Sequence, residues 1–163
     1  MSLADIPITA VGHLERAGTS RSGHEIAAIV VVADERPAVI AVADYQHAAT
    51  SLLPHFYLAR DGTLAQLLTI NRAGDGLGRA IWRGRMRNLN RIAVIVSVEA
   101  PNVTDLSEVQ ASVLADWLPA LVAQSTFHSP MYVRLFLMTQ GGSVSNRISH
   151  LRRRFGRSPV MWY

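Results

Sequence analysis

At 163 residues the chain is long enough to bury a core of roughly 70% of its unfolded surface, and it reads as a single domain over 1–163. Hydrophobic residues at 49% against 17% charged exclude an intrinsically disordered chain. The net charge of +4 comes from sixteen arginines with no lysine, and cysteine is absent. That excludes a Schiff-base lysine, a thiol nucleophile, thiolate metal ligands and disulfides.

Met1 to Ser20 shows no export signal, so the chain as written is expected in the cytoplasm; a removed signal would place it in the cell envelope. No run reaches the roughly 18 apolar residues that a membrane span needs. Ile26 to Val32 is a β-branched run, the pattern of a strand buried on both faces near the centre of a sheet. Pro37 opens a helix over Ala38 to Ala49, with Val39, Ile40, Val42 and Ala43 at helical spacing. His55–Arg60 and Thr63–Leu68 flank Asp61-Gly62, a strong short-range hairpin signal.

Asn71 to Asn90, polar and rich in arginine, is expected to be a long surface loop. Ile92 to Val98 repeats the buried-strand pattern. Asp105-Leu-Ser-Glu108 reads as a capping box for a helix to about Gln124, with Val109, Val113, Trp117 and Leu121 as its core stripe and Pro119 as a bend. Tyr132 to Met138 is a last strand, followed by Gly141-Gly142 and an arginine-rich final helix. The fold class is therefore α/β, a mixed central sheet of about five strands flanked by helices, with ligands expected at strand ends.

His55-Phe-Tyr-Leu-Ala-Arg-Asp-Gly-Thr63, the Trp82-Arg-Gly-Arg85 loop, Asn88-Leu-Asn-Arg-Ile-Ala-Val94 and Ser107-Glu-Val-Gln110 follow one another in an informative order. The ordered set resembles the zinc N-acetylmuramoyl-L-alanine amidases of the peptidoglycan recognition protein and phage lysozyme superfamily, over about residues 24 to 157. The resemblance implies a zinc ion held by two histidines and an aspartate or cysteine, with an open position for an activated water. The matching positions here carry other chemistry: Val32 and Thr139 stand at the histidines and Ser149 at the acidic ligand. Arg147 stands at the phage enzymes' lysine, and Pro54 at the tyrosine before the hairpin histidine. The resemblance implies the fold while denying the standard reaction.

No cofactor is expected, zinc entering only if Asp34, His55 and His150 have rebuilt a site. His13, His24, His47 and His128 read as ordinary surface or capping side chains. Ser143, Ser145 and Ser149 near His150 lack a Gly-x-Ser-x-Gly elbow and read as loop. A catalytically degenerate domain is therefore expected, binding a peptidoglycan fragment or related glycopeptide in a groove of Asp34, His55, Trp82, Arg85, Thr139, Arg147 and Ser149. An active amide hydrolase with a rebuilt metal site is the alternative. A further one is a nucleic-acid-binding or scaffold module that presents Arg79, Arg83, Arg85, Arg87 and Arg91 around Trp82, with Arg152-Arg-Arg154 and Arg157.

Overall fold

The computed structural model describes residues 8–10, 18–82, 85–124, 134–138 and 161–162. In chain order they form β1 (Ile8–Ala10), β2 (Thr19–Ser20), β3 (Ala28–Asp34), α1 (Ala38–Gln46), β4 (Phe56–Leu58), β5 (Leu64–Gln66) and β6 (Arg72–Ala73). There follow β7 (Arg79–Trp82), β8 (Arg85–Asn88), α2 (Leu89–Ile92), β9 (Ala93–Glu99), α3 (Glu108–Gln124), β10 (Arg134–Met138) and β11 (Met161–Trp162). The main sheet runs β1-β5-β4-β9-β3-β10-β11, with the seven-residue strands β9 and β3 near its centre and the short β1 and β11 at its edges. Only the β4–β5 pair is antiparallel, which makes the sheet mixed.

The two β-branched runs fold as read: β3 and β9 pair in parallel at the centre, from Ala28 opposite Ala93 to Asp34 opposite Glu99. Alternation then sends Ile29, Val31 and Ala33 of β3, with Val94, Val96 and Val98 of β9, to one face. There they meet Leu114, Trp117, Leu118, Leu121 and Val122 of α3. The Phe56 ring packs edge-on against Trp117, with centroids 4.7 Å apart. The opposite face carries Tyr57 and Ala59 under Ala41 and Tyr45 of α1, and Ala28, Val30 and Ala93 under Leu89 and Ile92 of α2.

Helix α3 is fixed to the sheet by its first turn. Ser107 Oγ accepts from the Gln110 N–H (3.1 Å) while Gln110 Oε1 accepts from the Ser107 N–H (2.9 Å), a reciprocal cap. The amide nitrogen of Gln110, fully buried, donates to the carbonyls of Leu58 (3.2 Å) and Glu99 (3.1 Å), holding the helix start over the ends of β4 and β9. The Asp61-Gly62 turn also matches its reading. Gly62 has φ +90°, and a Cβ there would lie 2.6 Å from Val109 Cγ1.

Several expectations change. The box capping α3 is Ser107 to Gln110, not Asp105 to Glu108, because Asp105 is exposed and Gln110 is the buried partner. Val109, assigned to the core stripe, is exposed, and α3 runs through Pro119 as one helix. Helix α1 ends at Gln46, with Val39 (77% exposed) and Ile40 (50%) facing outward and Ala41 and Tyr45 buried. The expected loop over 71–90 contains β6 and the β7–β8 ribbon. The expected arginine-rich final helix lies outside the described residues.

The buried indole Nε1 of Trp117 has no hydrogen-bond partner among the described residues. Replacing Trp117 by Phe removes that orphaned donor, so its cost is expected to stay within about 1.5 kcal/mol, against about 3–5 kcal/mol for Trp117→Ala. Urea denaturation of both variants checks this; equal costs would show that the donor is satisfied.

Candidate ligand cleft at the end of β3

Asp34 closes β3 two positions beyond Val32, where the backbone turns toward Pro37. The turn brings Arg36 back onto the Asp34 carboxylate in a forked pair: Nε donates to Oδ1 (2.9 Å) and Nη2 to Oδ2 (2.6 Å). The Arg36 backbone N–H also donates to Oδ1 (3.0 Å), and the Tyr45 hydroxyl donates to Oδ2 (2.6 Å). Arg36 Nη1 reaches Asp44 Oδ2 at 2.6 Å, and Tyr45 Oη lies 3.0 Å from Ser97 Oγ on β9. The Tyr57 hydroxyl donates to the Arg36 carbonyl (2.9 Å), tying this turn to β4.

Burial alone would raise the Asp34 carboxyl, but the hydrogen bonds from Arg36 and Tyr45 outweigh it and hold its pKa below the ordinary 3.8. Burial and the neighbouring Asp34 raise the Tyr45 phenol, so it stays a neutral donor. Two carboxylates against one guanidinium leave the Asp34, Arg36 and Asp44 cluster with a net charge of −1.

Beside this cluster lies a cleft of about 360 Å³ lined by Val32, Asp34, Arg36, Tyr45, Thr50, Ser51, Leu52, Gly76 and Leu77. A second cleft, of about 430 Å³, is lined by Thr19, Leu53, Gly74, Asp75, Asn88, Asn90 and Arg91. The Leu53–Asp75 bridge contributes both its residues to the second cleft, while the buried His55 lines neither.

His55 was read as a groove residue; the structure makes it an internal strut. It has no exposed surface, and its Nδ1 accepts from the Ile95 N–H (3.0 Å), which places the ring proton on Nε2. That proton goes to the Arg72 carbonyl at 2.9 Å. Arg21 Nη2, also 2.9 Å from Nε2, therefore faces an N–H, and it donates to the Ala93 carbonyl (3.1 Å). Arg21 further donates to the carbonyls of Ile70 and Arg91, each at 2.7 Å. One buried guanidinium thus joins β2, the turn before β6 and the start of β9. Burial lowers its pKa to about 10, which leaves it charged at neutral pH.

Of the other expected groove residues, Arg85 is exposed on β8 and lines neither cleft, and Trp82 ends β7 opposite it in register. Thr139, Arg147, Ser149 and His150 lie outside the described residues. Sequence reasoning found Asp34 but missed Arg36, Tyr45, Ser97 and Arg21. The Asp34-x-Arg36 spacing was the available signal for the first.

No family model matches the chain, and no curated protein matches it in sequence. Solved structures do. The selenomethionine derivative of AmpD aligns at TM-score 0.65 and 14% identity, over 88% of this chain and 93% of that one. The N-acetylmuramoyl-L-alanine amidase LysC from Clostridium intestinale gives 0.63 and 15%, over 91% and 96%. AmpDh3 from Pseudomonas aeruginosa, solved with an anhydromuramic pentapeptide, gives 0.61 and 12%, over 88% and 65%. The chain has the fold of the N-acetylmuramoyl-L-alanine amidases.

Amidases of the resembling family hold zinc, and the described donors here fit it poorly. Val32, which lines the cleft at the position of the first histidine, has no donor atom. Each Asp34 oxygen already accepts two hydrogen bonds, and both His55 nitrogens are engaged inside the protein. Among the described residues no three His, Cys, Asp or Glu side chains come together as a metal site.

The buried imidazole makes a pH prediction. Desolvation, reinforced by Arg21, takes the His55 pKa from 6.5 down to about 3, so the folded chain leaves it neutral while the unfolded chain protonates it below 6.5. Stability should therefore fall with pH between 6.5 and 4, by up to about 1.4 kcal/mol per unit. Loss from Asp34 belongs below 3.8, since its folded pKa is depressed. Denaturation midpoints across this range test it: a flat profile in the wild type, or an unchanged slope in a folded His55→Gln variant, contradicts the assignment.

Proposed function

We propose that this domain binds a peptidoglycan-derived muropeptide in the cleft at the end of β3 and leaves its amide bond intact. The observation that carries the reading is the occupation of the strand end by an apolar side chain and a saturated carboxylate, beside a cleft large enough for part of a glycopeptide. A structural neighbour holding an anhydromuramic pentapeptide supports the ligand class.

The cleft's electrostatics refine which parts of such a ligand it takes. Arg36 donates to three carboxylate oxygens, which leaves two of its five N–H groups without a partner among the described residues. These two N–H groups can donate to a neutral ligand, and the cluster's net negative charge disfavours a bare carboxylate. Peptide carbonyls and sugar hydroxyls suit this cleft. In this reading Thr139, Arg147 and Ser149 belong to the same groove.

Titration calorimetry with an anhydromuramyl peptide, followed by mass spectrometry of the recovered ligand, tests both halves. Expected are saturable binding with weak salt dependence, an intact ligand, and about tenfold weaker binding for Arg36→Ala, the loss of one charge-assisted hydrogen bond. Absence of binding overturns the ligand, and a product that has gained water overturns the lack of hydrolysis.

A further inference from the structure

Residues 76–98 hold five arginines and no acidic residue. Three of these arginines, Arg79, Arg85 and Arg87, sit exposed on the β7–β8 ribbon, a two-stranded sheet of its own outside the main sheet. None of the three side chains has a hydrogen bond or ion pair with another described residue, so among these residues nothing compensates their charge. We propose that this ribbon docks on the phosphodiester backbones of double-stranded nucleic acid, independently of the cleft.

The register supports that partner. Arg79 pairs with Asn88 and Ala80 with Arg87, while Met86 lies between Arg85 and Arg87. Strand alternation puts Arg85 and Arg87 on one face, about 6.8 Å apart, and places Arg79 with Met86 on the other. A ribbon with cations on both faces matches a groove walled by phosphates on both sides, and the major groove admits a two-stranded ribbon. Guanidinium groups fork onto phosphate oxygens, and no carboxylate within the segment opposes them. A lipid surface fits less well. On β8 the exposed apolar side chain, Met86 (60% accessible), stands between two charged arginines, Arg85 and Arg87.

The test is fluorescence anisotropy with a labelled DNA duplex of about 20 base pairs, titrated across a tenfold range of salt. Three phosphate contacts predict a log–log salt slope near −2.7, or affinity falling several hundredfold over that range. The variant R79Q/R85Q/R87Q should weaken binding at low salt by more than tenfold and flatten the slope, with an unchanged circular dichroism spectrum. If the triple variant does not fold, R85Q/R87Q should lose about two thirds of the slope. Wild-type affinity in a folded variant overturns the proposal. So does failure to bind the duplex, equal binding to poly-glutamate, or preference for phosphatidylglycerol vesicles over the duplex.

Discussion

The turn after β3 depends on one carboxylate. Asp34 accepts four hydrogen bonds, from Arg36 three times and from Tyr45 once, tying the following turn and helix α1 to the strand end. Through Tyr45 it sets which face of α1 is buried, through Arg36 it reaches Asp44, and through the Tyr45 hydroxyl it meets Ser97 on β9. A carboxylate so engaged is a structural anchor whose oxygens are spent. Beside it, Arg36 keeps two N–H groups with no partner among the described residues.

The same logic holds one layer deeper. His55 and Arg21 form a buried pair, a neutral imidazole and a cation whose directed bonds go to backbone carbonyls. Gly74 packs directly on the imidazole: a Cβ there would come within 2.5 Å of the Leu53 carbonyl and 3.1 Å of the His55 ring. The polar interior is satisfied by main-chain groups, which fixes the strand ends rigidly and keeps the histidine from ligands.

Sequence gave the central strands and the hairpin away because their signals are local: β-branched runs for β3 and β9, and Asp61-Gly62 for the turn. It misjudged α1 because periodicity counts Val39 and Ile40 as apolar and ignores that Tyr45 buries a ring while delivering a hydroxyl to Asp34. The ribbon was hidden on its β8 strand, where Arg85, Met86 and Arg87 are all exposed and give no apolar–polar alternation against a core. Asp34 was legible as a candidate, but Arg21 was not. Its partners lie 49 to 72 residues away, and nothing near it in the chain marks it as buried. His55 was found by resemblance and given the wrong role, because its burial is a property of the packed sheet.

We propose that the amidase fold is kept here while its zinc chemistry is not. Elemental analysis of the purified protein, after incubation with excess zinc and removal of unbound metal, tests it most directly. The account predicts zinc well below one ion per chain, with wild-type and Asp34→Ala proteins alike. One zinc per chain, lost in Asp34→Ala, would contradict it and return the cleft to hydrolysis.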